Sequence, residues 1–163
     1  MRDRVPGVTN IEAKQMEDGS LVLRYRDGSF IDPFFDKNVS DGTIKMFAYL
    51  LLLHDPKPHK ILCIEEPENQ LYPELMTILA EEFTEYTRSG GQVFISTHSP
   101  DFINSVGIES LFMLEKNLGV TSFLRMKNDP SVSDLFQKGD KLGYLWEKGF
   151  FTGASHRISA PKK

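Results

Sequence analysis

Residues 60 to 73, KILCIEEPENQLYP, constrain this chain more than any other stretch. A short apolar run stops abruptly at Glu65 and Glu66, with Pro67 and Glu68 directly behind. A continuously apolar run of this length bounded by turn residues is expected of a buried parallel strand. PELMTILAEEFTEYTRSGG follows, with Pro73 suited to a first helical turn. Leu75, Leu79, Phe83 and Tyr86 form a 3.6-residue stripe, and Gly90-Gly91 is a stop. QVFIST is then a second buried strand. Strand, helix and strand across residues 60 to 97 make a βαβ unit, whose crossover is right-handed and whose strands run parallel.

That topology places chemistry. In open α/β sheets ligands bind beyond the carboxyl ends of the strands. Glu65-Glu66 ends one strand and Thr97-His98 ends the next, so neighbouring strands would aim both pairs at one crevice. Carboxylates at such a point suit phosphate chemistry with a divalent cation, because Mg²⁺ takes one or two carboxylates together with substrate phosphates. A second carboxylate can activate water, and a histidine can sense a terminal phosphate. Cys63, within the first strand, is expected as a small core hydrophobe.

Elsewhere the pattern is ordinary. The first forty residues suggest β structure, with Asp27-Gly28 a hairpin turn inside SLVLRYRDGSFID and DPFFDKN a loop. TIKMFAYLLLLH is long and evenly apolar, which predicts a helix buried on most faces, with Ser40 or Asp41 as its N-cap. Pro56 and Pro58 end it. SPDFINSV predicts a short helix, and SLFMLEK and VTSFLRMK two strands about a turn at Asn117 to Gly119. SVSDLFQKGDKLGYLWEKGFF predicts one or two short helices with Leu142, Leu145 and Trp146 on one face, before a frayed tail.

Composition narrows the class. The 163 residues suit one core, and no apolar run approaches the roughly 18 residues of a membrane span. A single cysteine excludes an internal disulfide framework, so a cytoplasmic protein with no membrane partner is expected. The net charge of −4 gives no sign of a broadly basic nucleic-acid-binding face.

Three fragments, VSDGT at 39 to 43, ILCIEEPENQLYP and FISTHSP, stand in the order and spacing of the ABC-type ATPase head. The chain resembles the soluble branch of that family, the SMC/RecF-like, predicted AAA-type ATPases, over roughly residues 20 to 116. The resemblance implies an α/β, P-loop NTPase-like partial domain of parallel strands and helices, plus an N-terminal β-hairpin. It implies a β-rich lead-in at 1–38, an ATPase C-terminal lobe at 39–127 and a helical extension and tail at 128–163. Ser40, Asp41 and Gly42 then fall in the signature motif, which holds the γ-phosphate of ATP bound by the opposite subunit. Glu65 takes the Walker B position toward Mg²⁺, where many relatives carry aspartate. Glu66 becomes the catalytic base, Glu68, Asn69 and Leu71 the D-loop, and His98 the switch histidine.

None of the twelve glycines opens a G-x-x-x-x-G-K-[ST] phosphate loop. The chain therefore reads as the C-terminal half of an ATPase (an excised fragment, the product of a split gene, or a piece whose boundary is Met1), lacking its N-terminal Walker A lobe and expected to form a homodimer through the signature motif and D-loop. Alone it is expected to bind ATP weakly and to be inactive, with nucleic acid open as a partner of the parent. Two other readings stay open. One is a metal-dependent phosphoesterase or nuclease using Glu65, Glu66, Glu68 and Asp101; the other is a non-catalytic interaction module docking through its apolar helix.

Overall fold

The computed structural model describes residues 4–5, 7–35 and 38–151, arranged in two compact units, Met1–Ser96 and Thr97–Lys163. The expected frayed tail lies outside the described residues, as do Asp36 and Lys37 of the expected DPFFDKN loop. No helix among the described residues is long and apolar enough to cross a membrane.

The first unit opens on an antiparallel sheet of β1 (Val8–Gln15), β2 (Leu21–Asp27) and β3 (Phe34–Phe35), in that order. The long partner of β2 is β1, which it meets across a turn closed by Met16 and Ser20. Asp27-Gly28 opens a longer connection than a two-residue hairpin: Asp27 accepts from the Ser29 amide through its side chain and from the Phe30 amide through its carbonyl before the chain returns antiparallel as β3. The short β3 at its far end falls inside the stretch expected as a loop.

Helix α1 (Asp41–Leu53) starts as the sequence predicts, with Ser40 as N-cap. It is not buried on most faces. Gly42, Met46, Leu50 and Leu53 form its buried stripe, whereas Leu51 is 59% exposed. Seven of its residues are strongly apolar in sequence, but a helix touching neighbours along one side shields only that side. Edge-to-face contacts fix that side: Phe47 on Tyr25 of β2 and Tyr49 on Phe83, with centroids 6.2 and 5.9 Å apart.

Strand β4 (Ile61–Glu65), helix α2 (Pro73–Arg88) and strand β5 (Gln92–Ser96) complete the predicted βαβ unit. Each stripe residue of α2, Leu75, Leu79, Phe83 and Tyr86, is buried. The parallel pair is covered on one face only. Ile61 and Phe94 are 58% and 54% exposed, and Cys63 beside them is exposed too, which corrects its expected place in the core. Period-2 alternation puts Ile61, Cys63 and Glu65 on the face opposite Leu62 and Ile64. Leu62 is buried and Ile64 half-buried on the covered face.

The second unit contains α3 (Pro100–Asn104), the antiparallel hairpin of β6 (Phe112–Asn117) and β7 (Val120–Arg125), α4 (Pro130–Gln137) and α5 (Leu142–Glu147). Its core joins Ile103, Ile108, Met126, Val132, Leu142, Leu145 and Phe151, with Trp146 packed against it. Leu118 and Gly119 both take positive φ at the hairpin turn, as a two-residue primed turn demands. Asp129, almost wholly buried, caps α4 by accepting from the Ser131 and Val132 amides.

Candidate functional site

The parallel pairing of β4 and β5 runs in register from Ile61 opposite Gln92 to Glu65 opposite Ser96. The Glu66 amide extends it by donating to the Ser96 carbonyl at 2.8 Å. The carboxyl ends of β4 and β5 are thus adjacent.

Beyond that bond the chain turns sharply. Glu66 has φ of +43° and Gln70 of +66°, left-handed values that cost a residue with a side chain of order 1 kcal/mol or more. The segment between them is held by Asn69 N–H donating to the Glu66 carbonyl at 3.2 Å and Leu71 N–H to the Glu68 carbonyl at 2.9 Å. The Asn69 side-chain amide donates to Glu66 Oε2 at 2.8 Å. The three carboxylates part company here. Glu65 is exposed, Glu66 is half-buried and Glu68 is only 7% exposed. Among the described residues no three of His, Cys, Asp and Glu are grouped to hold a metal ion. The convergent carboxylates that a two-metal nuclease needs are therefore not assembled within the described residues.

The start of α1 packs on the same loop. Ser40 has extended backbone geometry, and its Oγ accepts from the Thr43 amide at 3.2 Å while lying 2.9 Å from Thr43 Oγ1. This is an ordinary N-cap, and it leaves the helix with the partial positive charge of free N–H groups at its first turn. Asp41 is exposed there. Gly42 is buried, and a Cβ at this position would stand 2.6 Å from the Gln70 carbonyl oxygen, so any side chain would push the loop away. One turn on, Lys45 Nζ donates to the Asn69 carbonyl at 2.8 Å. The ammonium also lies 5.9 Å from the centroid of the Tyr49 ring. The Tyr49 hydroxyl is pushed above its ordinary pKa by burial and, second, by the negative charge of Glu68. Gly42 and Lys45 thus meet two successive residues of the acidic loop, Gln70 and Asn69, and Tyr49 follows on the same helical face.

His98 lies in the second unit, two residues past the end of β5, and is exposed. Its carbonyl accepts from Trp146 Nε1 at 3.0 Å. Thr97 Oγ1 accepts from the Ser99 amide at 3.0 Å, and Ser99 Oγ caps α3 through the Phe102 amide. Asp101 is exposed in the first turn of that helix.

The start of α1 and the loop after β4 bring Ser40, Gly42, Glu66 and Asn69 together next to the strand end carrying Glu65, while Asp41 stays exposed in that first turn. Lys45, Tyr49 and Gln70 belong to that grouping and escape a reading based on motifs. The available signal was Lys45 itself, the lone cation of α1, set within its apolar run.

Residues 3–104 match the family described as "AAA domain, putative AbiEii toxin, Type IV TA system". No curated protein matches. A solved structure from a study of ATP-driven dimerization and DNA-stimulated activation of SMC ATPases has a TM-score of 0.62 at 14% identity. The match covers 86% of this chain and 86% of that one, which establishes a common fold. With its family match spanning well over half the sequence, the chain belongs to the AAA domain family and carries the α/β fold seen in SMC ATPases.

Proposed function

We propose that this chain supplies the signature helix, acidic strand end and switch histidine of an ATP-hydrolysing, SMC-like ATPase. The observation that carries the reading is the in-register pairing of β4 and β5, which sets the Glu65-Glu66 step beside the end of the strand leading to His98. The SMC ATPase of similar fold, studied for ATP-driven dimerization, supports extending it to a homodimer joined through the signature motif and D-loop.

In this scheme the Ser40 hydroxyl and Gly42 amide, at the positive end of α1, contact the terminal phosphate of ATP held by the opposite subunit. Asn69 crosses the dimer interface in the D-loop. Glu66 accepts a proton from the attacking water while the bond between the γ-phosphorus and its bridging oxygen breaks, and His98 hydrogen-bonds the departing phosphoryl group. Glu65, one exposed carboxylate at a strand end, fits the usual habit of Mg²⁺ in phosphate sites, where the ion neutralises phosphate charge when bound. The longer arm of glutamate suits contact through a bound water.

Because the sequence holds no phosphate-loop motif, a segment bearing one must complete the site. The uncovered apolar face of Ile61, Cys63 and Phe94 supports such docking. Calorimetric titration of MgATP into the 163-residue chain is expected to give an affinity no tighter than about 1 mM. Micromolar affinity would overturn the need for a second segment. In the completed ATPase, Glu66→Gln is expected to lower kcat by about 10²–10⁴-fold while nucleotide binding persists. An unchanged kcat would remove Glu66 from the role of base.

A further inference from the structure

We propose that Lys45 is a positioning residue that ties the start of α1 to the carboxylate of Glu66, with Asn69 as the intermediate. The inference rests on the reading of Glu66 as hydrolytic base. Asn69 is gripped at both ends: its carbonyl accepts from Lys45 Nζ at 2.8 Å, and its side-chain amide donates to Glu66 Oε2 at 2.8 Å. Both are hydrogen bonds to a charged group, roughly twice as strong as neutral ones. The backbone on either side explains why a grip is needed. Glu66 and Gln70, the residues bracketing the segment, both hold positive φ, and such conformations persist only where the surroundings over-determine them. Gly42 completes the clamp by letting the Gln70 carbonyl approach the helix closer than any side chain would allow.

The functional consequence is a rigid link. Ser40 to Gly42 and Lys45 share the first turns of one helix, so a displacement of that helix start pulls on Asn69 and turns the Glu66 carboxylate. An anion engaged at the helix N-terminus and the orientation of the base are then parts of one movement. Lys45 needs no contact with nucleotide to matter.

The test uses the full chain, ¹⁵N-labelled, and reads the Asn69 side-chain amide resonances and the deuterium exchange of the Asn69 backbone amide. Glu66→Gln, which removes the acceptor's charge, sets the reference displacement of the side-chain signals. Lys45→Met is expected to move them at least halfway to that reference and to speed backbone exchange about tenfold. Lys45→Arg, which restores a cationic donor, should recover most of both effects. Wild-type resonances and exchange in Lys45→Met would overturn the proposal, as would Lys45→Arg behaving like Lys45→Met. If Lys45→Met gives a collapsed spectrum, Lys45→Gln is read in the same way, and collapse of both assigns Lys45 to folding and not to positioning. None of these readouts involves ATP, so a failed nucleotide titration and a failed link are told apart.

Discussion

Helices α1 and α2 pack on each other in the first unit, yet they use their sequences differently. Helix α2 has a plain amphipathic pattern, and every residue of its apolar stripe is buried. It begins at Pro73 with no side-chain cap, a start that folding alone explains. Helix α1 is far more apolar than its burial requires, carries a serine cap, and spends Gly42, Lys45 and Tyr49 on the loop after β4. The lesson is that residues in excess of what packing demands single out the helix beside the candidate site.

Substitutions can break or sharpen that contrast. Leu79→Ala, deep in the α2 stripe, should lower stability by about 2–5 kcal/mol in urea unfolding, the usual cost of emptying a core position. Gly42→Val in α1 should cost about 1–3 kcal/mol, because its side chain meets the Gln70 carbonyl and must displace the loop. A loss as large as that of Leu79→Ala would mean that both helices serve the core alike. Ser40→Ala should cost about 1 kcal/mol through the lost cap to Thr43. Leu51→Gln, on the open side of α1, should change stability by less than about 0.5 kcal/mol despite its place in a leucine run.

The smallest effect is electrostatic. Tyr49 holds its proton more tightly folded than unfolded, so its contribution is fully present below the ordinary tyrosine value of 10.0 and fades as pH rises through the raised value. Thermal melts above pH about 10 should therefore fall more steeply in the wild type than in Tyr49→Phe, where this ionisation is gone. Matching slopes would show that burial beside Glu68 leaves the hydroxyl unperturbed.

Much of this was legible in the residues. The βαβ unit, the Ser40 cap, the stop at Gly90 and the inward set of Leu142 and Leu145 follow from periodicity and turn chemistry, which are local. Exposure of Cys63 and Phe94 does not, because an apolar strand says only that it tolerates cover on both faces, not whether the chain supplies it. The turn at Asp27-Gly28 is met in a wider form, with β2 returning antiparallel onto the short β3, while the longer pairing of β2 with β1 was not foreseen. Asp27-Gly28 is a strong turn signal, but the Asp27 side chain satisfies a neighbouring amide within that wider connection. The site was half visible: motifs reach the carboxylates and the cap, while the Lys45–Asn69–Glu66 connection spans 24 residues and exists only after folding.

The bare sheet face gives the molecule a built-in gauge. Cys63 is the sole thiol of the chain and stands in solvent between Ile61 and Phe94 on that face. Its rate of alkylation should consequently report, without any engineered label, when another polypeptide settles over those strands.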